Sequence, residues 1–128
     1  MKRIIKFRAW HKKNKKMLFV YSMGFTRTGG ISDFNIDDGE RFFVAENTDY
    51  FELMQYTGRK DKNEKEIYEG DIVMWIDTYQ KPHNHQVGWL ERWACWDFPI
   101  WASDTDRGLY EMEIVGNIYE NPELLGVK

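Results

Sequence analysis

The chain has 128 residues, enough for one domain or two small interlocked lobes, and needs no staple to bury a core. The lone cysteine, Cys95, excludes an internal disulfide and fits a reducing cytoplasm, while the lack of a leader-like or membrane-length apolar run predicts a soluble chain with no membrane partner. Net charge is −3, yet residues 1–16 hold eight Lys or Arg and no acid, so +8 there stands against −11 in the remainder.

In chain order, Ile5, Phe7 and Ala9 alternate with Lys6, Arg8 and Trp10, the period of a strand. A lysine-rich turn around Asn14 and an apolar run over residues 17–21 make this a hairpin. Gly24, Gly29 and Gly30 punctuate a loop. Residues 31–36 and 41–45 read as short strands about the turn signal Asp37-Asp38-Gly39. Residues 50–57 suit either a strand or a short helix. Residues 58–66 contain no apolar side chain and mark the boundary between lobes 1–57 and 58–128. A Glu69-Gly70-Asp71 turn then precedes a β-prone run to Ile76. Residues 87–90, 92–98 and 111–119 supply further strands, and Asn121 before Pro122 predicts a closing helical turn. Many short strands with Gly and Asp turns predict a mainly β fold with a barrel-like part.

Residues 55–73 form a distinctive string: Gln55, Tyr56, Thr57, Gly58, Asp61, Asn63, Ile67, Tyr68, Gly70 and Asp71 stand at its marked positions. This string resembles the signature segment of the YopX family of bacteriophage and prophage proteins. Residues 5–10 resemble that family's opening strand and residues 115–125 its closing segment. The resemblance spans nearly the whole chain. It implies a β-rich fold with an N-terminal β-hairpin region and a small SH3-like, barrel-like C-terminal part, and a phage or prophage origin in a bacterial host. It implies no activity and no cofactor. Three positions depart from the family pattern: Glu64 replaces a glycine, Arg59 a leucine and His11 an acid. Glu64 tolerates a positive φ poorly, so a wider or more flexible loop is expected. Residues 83–106 match no known pattern.

The candidate chemical sites are sparse. Asp61-x-Asn63-x-Lys65 resembles the start of a calcium loop, but Lys65 and Glu66 replace the required oxygen ligand and glycine. His83 and His85, with Cys95 or Asp97, offer zinc-type ligands, though a polar turn after Pro82 explains the segment as well. Cys95, flanked by aromatics, reads as a small buried hydrophobe. Glu69 and Asp71 read as turn-capping acids rather than a catalytic pair. No phosphate loop, nucleophile elbow or zincin motif is present, so nothing names an enzyme.

The aromatic load carries the most information. Trp89, Trp93, Trp96 and Trp101 fall within 13 residues, with Arg92 beside Trp93. Trp89, Trp93 and Trp96 also fit one face of a helix. Core packing, a protein interface and a stacking platform for single-stranded nucleic acid are the three readings. The basic arm divides similarly. Lys2, Arg3, Lys6 and Arg8 either neutralise phosphates or pair with acids of the same chain or a neighbouring copy, and the acidic balance of the whole favours pairing. The resulting expectation is a non-catalytic, self-assembling module that binds a phage or host protein. The alternatives are nucleic-acid binding through the tryptophan cluster and a metal-dependent hydrolase at His83 and His85.

Overall fold

A computed structural model describes residues 2–37, 39–43, 50–77, 79–99 and 112–126. The chain divides into two compact units, Met1–Gln55 and Tyr56–Lys128.

The first unit is an antiparallel sheet. Its strands are β1 (Phe7–His11), β2 (Lys16–Phe25), β3 (Ile31–Ile36), β4 (Arg41–Phe43) and the first half of β5 (Phe51–Lys60), in the order β4-β3-β2-β1-β5. Residues 50–57 therefore resolve as strand. The β1–β2 turn closes with Lys15 N–H on the His11 carbonyl at 2.7 Å and Lys15 at φ 53°. Period-two patterning sets the register. Ala9 lies between Leu18 on β2 and Leu53 on β5, Val20 faces Ile36, and Phe34 faces Met23 and Phe42. These residues share one face, where Ala9, Phe34, Ile36 and Phe51 are buried. The small Ala9 leaves room for a ring cluster. Phe34 meets Phe51 edge-on at 5.2 Å between centroids, and Phe42 meets Phe51 at 4.3 Å.

The second unit holds the rest of β5, β6 (Glu66–Tyr68), β7 (Asp71–Ile76), β8 (Pro82–Gln86), β9 (Gly88–Leu90), β10 (Cys95–Asp97) and β11 (Glu113–Asn117). β6 pairs with β5, a three-stranded sheet runs β11-β7-β8, and β9–β10 form a separate ribbon. A 3-10 turn, Pro122–Leu125, has proline in its first turn and Gly126 in the left-handed region at its end. The core is Ile67, Val73, Val87 and Met112, with Trp75, Phe98 and Ile114 packed against it.

The architecture is mainly β, as the patterning predicts. Among the described residues, however, every hydrogen-bonded sheet is open and none closes into a barrel. Two local expectations also need correction. Residues 82–86 form the edge strand β8 rather than a polar turn. It was illegible because an exposed edge strand shows no hydrophobic alternation, and Pro82 at its first residue is a position where proline fits. Residues 88–97 form a hairpin, which bears out the strands expected over 87–90 and 92–98 and corrects only the alternative of a helix face: Leu90 pairs with Cys95, Trp89 with Trp96 and Gly88 with Asp97.

Candidate functional site

The signature residues build the frame of the second unit. Thr57 Oγ1 donates to the Ile67 carbonyl at 2.7 Å and accepts from the Arg59 amide, while Gly58 takes φ 88°. Asp61 is nearly fully buried. Its Oδ1 accepts the amides of Asn63 and Lys65 at 2.8 and 2.9 Å, and its Oδ2 accepts the Ile114 amide at 2.9 Å. Both carboxylate oxygens thus serve backbone donors, fastening the loop to β11. The Asn63 side-chain amide reaches Glu113 at 3.3 Å, and the Lys62 amide bonds the Met112 carbonyl. The calcium-like string is a backbone clamp.

Glu64 corrects the expectation of a wide loop. It sits at φ 65° in a tight turn, its amide donating to the Asp61 carbonyl at 3.0 Å. The clamp holds it in a conformation that ordinarily favours glycine.

Gly70 and Asp71 make a second fastening. Gly70 adopts φ 88°, its amide donates to Val87, and its carbonyl accepts from Ile118. Asp71 Oδ2 accepts the Tyr68 amide at 2.7 Å. The Asp71 carboxylate is therefore a turn cap, as its position before a strand suggests. Ile67 is fully buried, the Tyr56 and Tyr68 rings lie 5.6 Å apart, and Gln55 pairs with Phe7 on β1.

The histidines engage separate carboxylates. His83 Nε2 lies 2.7 Å from Asp77 Oδ2, and its ring stacks on Trp75 at 4.6 Å. His85 Nε2 lies 3.2 Å from Asp97 Oδ1 and 3.0 Å from the Asp97 carbonyl. Asp77 also accepts the Tyr79 and Lys81 amides. Its carboxyl is held below the ordinary aspartate value, chiefly by His83 and then by the Lys81 amide, with burial opposing and the Tyr79 amide adding a lesser lowering. No group of three His, Cys, Asp or Glu able to hold a metal occurs among the described residues. Cys95 is exposed at the start of β10, contrary to the buried position expected of it.

Several large side chains stand exposed, Phe25, Phe43 and Tyr79 among them, and the tryptophan hairpin groups two more, Trp89 and Trp93. Trp89 and Trp96, paired across the hairpin, meet at 5.0 Å in a T-shaped contact. Trp93 occupies the turn and is 69% exposed, and Trp89 is 47% exposed. The Arg92 guanidinium lies 5.4 Å from the Trp93 ring centroid. The turn closes with the Trp93 amide on Leu90 and the Ala94 amide on Glu91, with Ala94 at φ 50°. Leu90 is also 38% exposed. Neither Trp89 nor Trp93 belongs to the buried core, and Trp101 lies outside the described residues.

At the other end of the chain, Lys2 and Arg3 are exposed, Lys6 is half-buried and Arg8 is buried. Lys12 pairs with Glu52 at 2.8 Å. β1 is hydrogen-bonded on both sides, by β2 and β5, so its edges are not open for pairing with another chain.

Residues 6–126 match the family described as YopX protein. The chain belongs to the YopX family. The match takes in the clamp, the Gly70–Asp71 turn and the tryptophan hairpin together. No curated protein matches this YopX-family chain. Its fold is similar to the crystal structure of protein EF1440 from Enterococcus faecalis, with a TM-score of 0.72 and 25% identity, covering 97% of this chain and 99% of that one. No helix among the described residues is long and apolar enough to cross a membrane. Sequence reasoning did not single out Leu90, Asp77 or Ile4, and it placed Ile5 in the opening strand, whereas β1 begins at Phe7 and Ile5 is exposed.

Proposed function

We propose that this YopX-family protein is a non-catalytic, self-assembling protein-binding module of phage or prophage origin, acting in the bacterial cytoplasm, with the β9–β10 hairpin as its contact surface. The observation that carries the reading is the exposure of Trp93 and Trp89 on a small ribbon outside the core. Large rings left in water cost free energy that a partner recovers by covering them, and Trp and Arg are the residues that most often anchor such contacts. The T-shaped contact of Trp89 with Trp96 across the hairpin preorganises the half-exposed Trp89 ring. An SH3-like closure of residues 58–128 is part of this proposal. Backbone hydrogen bonds joining the outer strands of the open sheets would be its signature.

Light scattering at low and high salt tests the assembly. The expected result is a mass above that of a single chain at low salt, lost in the Trp89→Ala/Trp93→Ala double variant. A strict monomer under both conditions overturns it.

The placement of Arg92 over Trp93 supports a second reading, stacking of single-stranded nucleic acid on the same rings. Titration with an oligothymidylate would then quench tryptophan fluorescence, with an affinity that falls steeply as salt rises. An unchanged spectrum ends that reading.

A further inference from the structure

We infer that residues 2–6 of one copy dock on the β9–β10 hairpin of a second copy, adding a third strand to the ribbon. This inference rests on the hairpin being a protein-binding surface and names its occupant.

The donor segment precedes β1 and, among the described residues, is part of no strand. Ile4 and Ile5 are 63% and 65% exposed, and Lys2, Arg3 and Lys6 surround them without an acid. Two adjacent isoleucines in water, ahead of a sheet, form a β-prone segment without a ladder.

The acceptor matches it in three respects. First, β9–β10 is a two-stranded ribbon among the described residues, and such a ribbon gains stability from a third strand. Second, its residues alternate between faces. Trp89 and Trp96 share one face, Leu90 and Cys95 the other. Consecutive isoleucines in an extended strand also point to opposite faces, so each has an apolar counterpart. Third, the charges are opposite. The unit that carries the hairpin, Tyr56–Lys128, has 14 acidic and 8 basic residues, while Lys2 and Arg3 of the donor are exposed cations. Arg3 or a flanking lysine would also lie within reach of an exposed indole face.

A contact of this kind is heterologous: segment on one copy, hairpin on the other. That property gives a mixing test. Two full-length variants are made, Ile4→Glu/Ile5→Glu and Trp89→Ala/Trp93→Ala, each checked for native near-ultraviolet dichroism. Sizing by light scattering should show an assembly for the unaltered protein and a single-chain mass for each variant. Their equimolar mixture should recover a two-chain species and nothing larger, because one intact segment then meets one intact hairpin. A peptide spanning residues 2–8 should dissolve the assembly and shift tryptophan emission, whereas the same peptide with both isoleucines replaced by glutamate should do neither. If the tryptophan variant loses assembly while the isoleucine variant keeps it, the segment is not the occupant, yet the hairpin remains a protein-binding surface. A mixture that stays monomeric overturns the heterologous contact in the same way. If the tryptophan variant assembles like the unaltered protein, or the unaltered protein is a monomer, both readings fall.

Discussion

The two units build their buried centres from different side chains. In Met1–Gln55, Phe34, Phe42 and Phe51 gather against one face of the sheet and constitute much of its core. In Tyr56–Lys128 the buried centre is mostly aliphatic, Ile67, Val73, Val87 and Met112, and two tryptophans stand on an outlying ribbon. Each unit also leaves rings in water, Phe25 and Phe43 in the first and Tyr79, Trp89 and Trp93 in the second. Aromatic content alone therefore does not separate core from contact surface; the face on which a ring stands does, since Phe42 packs on the core while its neighbour Phe43 on β4 is exposed.

Substitutions that remove one ring from each region sharpen this contrast most. Phe34→Ala, at a fully buried position among three other rings or apolar chains, is expected to destabilise the protein by about 3–5 kcal/mol in chemical denaturation. Asp61→Ala comes next. It strands three backbone amides at a buried site, and a loss of about 2–4 kcal/mol is expected, with Asp61→Asn intermediate because one acceptor oxygen survives. Trp93→Ala should change stability by less than about 0.5 kcal/mol, since the ring is largely in solvent, while weakening assembly. A large stability loss at Trp93 would move it into the core and erase the comparison.

A smaller effect of opposite sign is expected at the clamp loop. Glu64→Gly relieves a left-handed backbone at the cost of chain entropy in the unfolded state, and a net gain of about 0.5–1 kcal/mol should appear as a raised denaturation midpoint. The acid limb of stability provides the finest test. Asp33 is held below its ordinary value by Ser32 first and then Arg41, and Asp77 by His83 first. A depressed folded-state value means that the contribution of each is present above the ordinary 3.8 and fades as pH falls through the lower folded value. Carboxyl-carbon NMR titration should place both midpoints below 3.8. Both groups are solvent-accessible, so the stability change will be modest.

How much was legible follows from where the side chains stand. Ala9, Leu18, Val20, Phe34 and Ile36 line one face at period two, which made the first strands legible, although Trp10 on the other face of β1 is buried as well. The 55–73 string was legible as a family signature, but its mechanical role was not. Two of the amides that Asp61 serves are local, but the third, Ile114, depends on β11 arriving from more than 50 positions away. β8 had no pattern because both its faces are wet. The spacing of Trp89, Trp93 and Trp96 fits a helix and a tight hairpin equally, and Ala94 at positive φ carried no glycine to announce the turn. Cys95 looked buried because its neighbours are aromatic, yet it pairs with Leu90 on an exposed ribbon.

The left-handed Glu64 also bears on how the protein ages. An asparagine followed by glycine is prone to attack by the next backbone nitrogen on its side-chain carbonyl, which releases ammonia and leaves a succinimide. Here the nitrogen after Asn63 carries a bulky side chain and is engaged with the Asp61 carbonyl. A glycine at this position would give a firmer turn but a shorter chemical lifetime for its asparagine, so glutamate exchanges a little folding stability for covalent durability.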